Sequence, residues 1–166
     1  MLRSDHAPIN MLSSLKKLLA IFEERGDGPG LQLGDLRLAT AALMVHAAAI
    51  DGRVEAAERT SLYRLLTSHF LLGKGEAEEL LESAELIERD AIDIYSFTRV
   101  IQAHLSQDKR QEIVRLMWEV VVADGKVHPY ESNLVWRASE LIGVSTRDRV
   151  AMRQEVFARH GICGDN

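Results

Sequence analysis

Two stretches of this sequence are apolar at most positions and are long enough to form helices. One spans residues 36–50 and the other spans residues 113–123. A helix that is apolar on nearly every face must be surrounded by protein rather than by water. We therefore expect these two stretches to form the central pair of a bundle, with amphipathic helices packed around them.

Both apolar stretches run into the same short motif. The sequence reads DGRVEAAE at 51–58 and DGKVHPYE at 124–131, so the aspartate, the glycine and the closing glutamate recur 73 positions apart. This recurrence predicts an internal repeat with units at about 38–70 and 111–143. Repeats of this kind commonly pack with pseudo-twofold symmetry, because each unit then buries what it would expose alone.

The rest of the chain also has helical spacing. No run alternates between apolar and polar residues over a useful length, and aromatic residues make up only 5% of the chain. These features disfavour sheets and predict an all-α fold, a compact bundle of about seven to eight helices. We expect the helices at about 11–25, 35–50, 56–71, 76–89, 93–106, 108–123, 129–143 and 146–160.

The longest irregular stretch, GDGPG at 26–30, separates the first predicted helix from the others. We expect residues 1–34 to be an N-terminal helix and loop packed on the domain. Residues 35–166 would then be one helical domain that contains both repeat units.

Charge and cysteine content exclude several classes of protein. The net charge of −5 is too acidic for a protein whose main task is to hold nucleic acid. The single cysteine, Cys163, excludes a disulfide scaffold and a cysteine-rich metal site. No segment reaches the roughly 18 apolar residues of a membrane span, and the N-terminal stretch lacks the uncharged core of a signal peptide. We expect a cytoplasmic protein.

The glycine and the glutamate of each motif have structural explanations. Gly52 and Gly125 follow an apolar helix, where a left-handed residue without a Cβ ends the helix. With His128 as the N-cap of the next helix, Glu131 is its third residue and can accept the N–H of the cap. Glu58 is the equivalent residue of the first copy.

The two aspartates are harder to explain, because a carboxylate at the C-terminus of a helix opposes the helix dipole. One explanation is structural: the aspartate turns to the free N–H groups that open the next helix. The other is a cation held between aspartate and glutamate, which predicts a metal site at Asp51, Glu58, Asp124 and Glu131. The motif lacks the alternating oxygen ligands of an EF-hand, so calcium or magnesium would stay mostly hydrated and bind weakly.

The doubled motif, which closes one buried helix and opens another, resembles the TerB-like family of tellurite-resistance-associated proteins over about residues 35–160. This resemblance implies a compact all-helical domain with an acidic surface, association with metal and a place in stress-linked systems at the membrane. It implies no known reaction. The acidic positions of the family match Asp51, Glu58, Asp124 and Glu131, and the departure is Ile50, where the family more often has alanine.

Two further groups of polar residues have more than one interpretation. His46 and Glu119 lie at equivalent positions of the two apolar helices. We expect each side chain on a thin solvent-facing strip, with a direct contact between the two side chains as the alternative. The acidic run at 76–93 is expected to be a solvated helix face, with docking of a basic partner as the functional alternative.

The sequence predicts no catalytic residue and no certain cofactor, and we expect the protein not to be an enzyme. The histidines are scattered, and residues 26–30 lack the Gly-Lys-Ser/Thr ending of a phosphate-binding loop. The leading hypothesis is a helical binding or scaffold module for protein partners, membrane-associated ones or a second copy included, with weak binding of a divalent cation. The alternative is a purely structural or self-associating domain without metal binding.

Overall fold

The computed structural model describes residues 33–49, 54–89 and 94–163, and these ranges contain seven α-helices and no strand. The expected all-α fold is therefore confirmed. The helix predicted at 11–25 and the residues Asp51 and Gly52 lie outside the described ranges. The helices are α1 (Leu33–Ala48), α2 (Ala56–Phe70), α3 (Lys74–Arg89), α4 (Ile94–His104), α5 (Gln107–Val121), α6 (Pro129–Leu141) and α7 (Thr146–Arg159).

Helix α1 lies at the centre of the bundle, as its composition predicts. From Leu38 to Ala49 every residue is buried except His46, which is half-buried. The helix packs mainly against α3, α4 and α5, and more lightly against α2 and α6. The buried Thr40 donates its hydroxyl to the carbonyl of Leu36 at 2.8 Å, which satisfies the hydrogen-bonding capacity of this enclosed hydroxyl.

Helix α5 is buried over its second half. The residues from Ile113 to Val122 are buried apart from Arg115 and Glu119, whereas the first turns are largely exposed. Trp118 is the largest enclosed side chain and meets Trp136 of α6 and Phe157 of α7 edge-on, with ring centroids 6.2 and 5.5 Å away. These contacts join α5, α6 and α7 into one side of the core.

The helix ends follow local capping rules with one difference from the expectation. Gly125, Gly143 and Gly161 all have positive φ, as expected of glycines that follow a helix. Helix α3, however, begins at Lys74, so Gly75 lies inside its first turn rather than before it. The carboxylate of Glu76, the third residue of α3, accepts the N–H of Gly73 at 2.8 Å and so caps this first turn.

Candidate functional site: the acidic helix links

The second link, between α5 and α6, is described in full. Helix α5 is closed by backbone hydrogen bonds from Ala123 to Val120 and from Gly125 to Val122, and Gly125 then turns the chain with φ +77°. The exposed Asp124 accepts the backbone N–H of Lys126 through Oδ1 at 2.8 Å. The aspartate thus stabilises the turn itself, in the manner of an Asx-turn.

This hydrogen bond differs from the expected one, in which the aspartate reaches the first N–H groups of the next helix. The reason lies in the residues that open α6. Pro129 has no N–H, and the N–H of His128 is already donated to Oε2 of Glu131 at 3.3 Å. Asp124 accepts the amide N–H of Lys126 instead.

Glu131 is an almost completely buried carboxylic acid, with 2% of its surface exposed. Burial, together with the charges of Glu58 and Asp124, raises its pKa to about 6. The hydrogen bond from the backbone N–H of His128 and the nearby imidazole of His128 act in the opposite direction. Glu131 is the third residue of α6, as the sequence predicts.

Glu58 has the equivalent place in the first copy. It is the third residue of α2, it is 8% exposed, and its Oε2 accepts the N–H of Glu55 at 2.9 Å. The pKa of Glu58 is also raised, mainly by burial, with contributions from the negative charges of Glu55 and Asp124. Asp51, the aspartate of this link, lies outside the described residues.

The carboxylates of the two copies lie within electrostatic range of one another. The charge of Asp124 raises the pKa of both Glu58 and Glu131, and the charge of Glu58 raises that of Glu131. The charge of Asp124 therefore reaches the first turns of both α2 and α6. Two of these three acidic groups, Glu58 and Glu131, are buried.

The described carboxylates provide fewer ligands than a tightly bound divalent cation needs. Within the described ranges, no three His, Cys, Asp or Glu side chains come together closely enough to hold a metal ion. One oxygen of each buried glutamate is also taken by the N–H of its N-cap residue. A hard cation beside these carboxylates would therefore keep several water molecules, which fits loose outer contacts rather than a closed cage.

The sequence did not predict the polar contacts that lie beside the links. His46 lies 3.4 Å from Glu88 of α3, and Glu119 lies 2.6 Å from His160, so the two equivalent residues have separate partners among the described residues. Arg59 joins α2 to α3 through Glu78 at 2.8 Å and Glu85 at 3.0 Å. Long-range pairs of this kind leave no periodic signal in a sequence.

A surface cavity of about 490 Å³ lies between α1, α2 and α3, next to the first link. Its walls combine the apolar Val45, Ala49 and Val54 with Arg59 and Glu85, whose charges are paired with each other. The acidic run on α3 is therefore partly neutralised on this side. Its exposed members, Glu79 and Glu82, remain on the solvent face that the sequence predicts.

Fold and links together define a class: an all-helical domain in which the buried helix α5 ends at an acidic turn, and α2 and α6 each begin with a buried, capping glutamate. The family model described as Tellurite resistance protein TerB matches residues 37–154, which is most of the chain. The chain belongs to this family, as the doubled motif indicates. Searches of curated proteins and of solved structures found no significant match. No helix in the described ranges has the length and apolar character needed to cross a membrane.

Proposed function

We propose that this protein is a cytoplasmic helical binding module of the TerB type. It acts through contacts with protein partners and binds a divalent cation weakly at its two acidic links, in a response to tellurite or to membrane stress. The observation that carries the proposal is that the charge of Asp124, on the second link, reaches both buried glutamates, Glu58 and Glu131. Membership of the TerB family supports the assignment to this type of module.

The negative charges of Glu58, Asp124 and Glu131 favour a cationic ligand beside them. Buried carboxylates that feel each other's charge are destabilising when all are ionised, since burial and like charges both disfavour the charged form. With a pKa of about 6, Glu131 is mostly ionised at neutral pH. A cation, or a basic side chain of a partner, relieves this repulsion and is attracted for the same reason.

The chemistry of the donors selects the ion. Carboxylate oxygens are hard ligands and favour calcium or magnesium, whereas the softer sites of zinc draw on cysteine and histidine. Few protein ligands and retained water give low affinity. The motif at 51–58 supplies a fourth carboxylate, Asp51, and the proposal includes it as a ligand.

The proposal is tested by titrating calcium, magnesium, manganese and zinc into the full chain by calorimetry. Saturable binding of calcium or magnesium that is weakened in Asp124→Asn and in Asp51→Ala supports it. Glu140→Gln is the matched control, because Glu140 is exposed near the other end of α6. No saturable binding of any of the four ions, or equal binding by all variants, overturns the cation part.

If the two links share one surface, the effects of Asp51→Ala and Asp124→Ala on ion binding are not additive. We expect a coupling energy of roughly 0.5–3 kcal/mol in a double-mutant cycle. Strict additivity indicates two independent sites instead.

The competing function is a structural or self-associating domain whose links are only helix caps. The hydrogen bonds that Glu58 and Glu131 accept from their N-cap residues favour it, because they give both glutamates a role without any ligand. In that case, changing these residues lowers stability equally with and without divalent ions. Sedimentation over a range of concentrations then shows whether the domain forms a homodimer.

A further inference from the structure

Helix α2 ends at a leucine whose backbone conformation and solvent exposure are both unusual for this type of residue. Leu71 has a left-handed backbone, with φ 53° and ψ 45°, and is the one residue other than glycine with positive φ in the described ranges. Its side chain is also 81% exposed. Glycine is the usual residue at such a helix end, because it has no Cβ to clash and no apolar side chain to expose.

The residues around Leu71 form a surface that we call the α2 corner: Arg37, His69, Phe70 and Leu71. Phe70 is half-buried, and the ring of His69 meets it edge-on at 4.7 Å. The guanidinium carbon of Arg37 lies 5.7 Å from the centre of the Phe70 ring. The Nε of Arg37 is buried, yet no described residue offers it a hydrogen-bond acceptor.

The position of Arg37 shows how near the start of α1 lies to this corner. Arg37 lies about one turn, or roughly 6 Å, after Leu33, and its guanidinium reaches the Phe70 ring, so the chain enters α1 within one helical turn and one side chain of the corner. Residues 26–32 can span at most about 25 Å when fully extended. The segment at 11–25 therefore starts within reach of the corner, and such a short tether gives it a high effective concentration there.

The segment at 11–25 matches the corner in chemistry. Its apolar residues recur at helical spacing and form one stripe, composed of Leu12, Leu15, Leu19 and Phe22. Glu23 and Glu24 follow this stripe, at the end of the segment nearest α1. A carboxylate there is the acceptor that a guanidinium group binds best.

We infer that residues 11–25 dock as an amphipathic helix on the α2 corner of the same molecule. The apolar stripe covers Phe70 and Leu71, and Glu23 or Glu24 pairs with Arg37. Leu71 is then an anchor for this helix, which accounts for a leucine where a glycine would fit better. The corner lies at the C-terminal end of α2, whereas Glu58 lies at its N-terminal end, so this docking is independent of the proposed function of the links.

Hydrogen exchange on the full chain, followed by mass spectrometry, tests the inference. We expect the amides of residues 15–25 to exchange about tenfold more slowly than in an isolated peptide of residues 1–30. In Leu71→Gly this protection should be lost, while exchange in α1 and α5 is unchanged. Glycine suits the backbone at this position, so the variant should fold. Leu86→Ala, a change at a 52% exposed leucine of α3, is the matched control and should keep the protection.

Exchange at the rate of the free peptide in the wild type overturns the inference, and so does full protection in Leu71→Gly. Protection that grows with protein concentration also overturns it, because a second copy then covers the corner.

Crosslinking gives an independent readout in a Cys163→Ser background. Phe22→Cys combined with Leu71→Cys should form a disulfide within one chain, and Phe22→Cys combined with Leu86→Cys should not. Disulfide-linked dimers in place of the intrachain bond would show that the helix docks on another molecule.

Discussion

Glu58 and Glu131 occupy the same position of two helices, the third residue of α2 and of α6, and each accepts the backbone N–H of the N-cap residue before it. Both are buried, and the charge of Glu58 raises the pKa of Glu131. Two equivalent carboxylates thus stabilise their helices locally and repel each other across the fold. The predictions on the links follow from these two opposing effects, local stabilisation of each helix and mutual repulsion of the carboxylates.

Glu131 should make the fold less stable as the pH rises from about 4.5 to about 6. Its pKa is about 6 in the folded chain and near 4.5 in the unfolded chain, so the folded state holds the proton more tightly. The stabilisation that this tighter proton binding gives is fully present below about pH 4.5, and it is lost as the pH rises through the pKa of about 6 that Glu131 has in the folded chain. The expected loss is up to about 2 kcal/mol. Urea unfolding in the presence of a chelator, between pH 4 and pH 8, measures it against Glu131→Gln.

In Glu131→Gln this part of the pH dependence should disappear, while stability at pH 7 stays equal or rises. The amide oxygen of glutamine can still accept the N–H of His128. Glu131→Ala loses that hydrogen bond and should cost about 1 kcal/mol. An unchanged pH profile in Glu131→Gln would show that the pKa of Glu131 is not raised.

Asp124→Asn should affect stability and ion binding in opposite directions. The asparagine oxygen can keep the hydrogen bond from Lys126, while the negative charge at the end of α5 and its repulsion of Glu58 and Glu131 are removed. Without divalent ions, we expect a gain of a few tenths to about 1 kcal/mol. The rise in melting temperature on adding calcium or magnesium should shrink. A variant that is less stable than the wild type in chelator contradicts this account.

Gly125→Val should destabilise the fold by at least about 1 kcal/mol, because a β-branched residue is strained at φ +77°. No atom lies within 4 Å of a Cβ added there, so the loss reports backbone strain rather than a clash. Gly52→Val should behave in the same way if the first link has the same turn. Gly75→Ala, in the first turn of α3, is the control and should be neutral or stabilising. Unchanged melting temperatures in Gly125→Val and Gly52→Val would show that left-handed turns are not required.

Arg153→Met should cost about 0.5–2 kcal/mol through the loss of cation–π contacts. The guanidinium of Arg153 lies 4.7 Å from the centre of the Phe157 ring and 5.9 Å from that of Trp118. Arg147→Met, at an exposed position of the same helix, should change stability by less than about 0.5 kcal/mol. Chemical unfolding followed by tryptophan fluorescence compares the two variants. Equal losses of stability would show that the ring contacts of Arg153 do not stabilise the fold.

The helices and the capping glutamates could be predicted from the sequence because their signals are local. Apolar residues on every face mark the buried part of α1, and the spacing from His128 to Glu131 marks the start of α6. The partner of Asp124 could not be predicted, since it depends on which N–H groups Pro129 and Glu131 leave available. The internal repeat, as a pseudo-twofold arrangement, stays a prediction.

Contacts that depend on the packing of distant segments could not be predicted either. The partners of His46 and Glu119, namely Glu88 and His160, are set by how α3 and the end of α7 lie against the central helices. The exposed Leu71 gives no sequence signal, because a leucine at the end of an amphipathic helix looks like any core residue. Only its left-handed backbone and its exposure set it apart.

We propose that the carboxylates of the two links form one electrostatic surface. The decisive experiment is to measure the pKa of Glu131 from its side-chain carboxyl carbon by NMR, in a chelator, for the wild type, Glu58→Gln and Asp124→Asn. We expect a pKa of about 6 in the wild type and a lower pKa in both variants, with no change in the control Glu140→Gln. A pKa near 4.5 in the wild type, or one that neither variant changes, would contradict it.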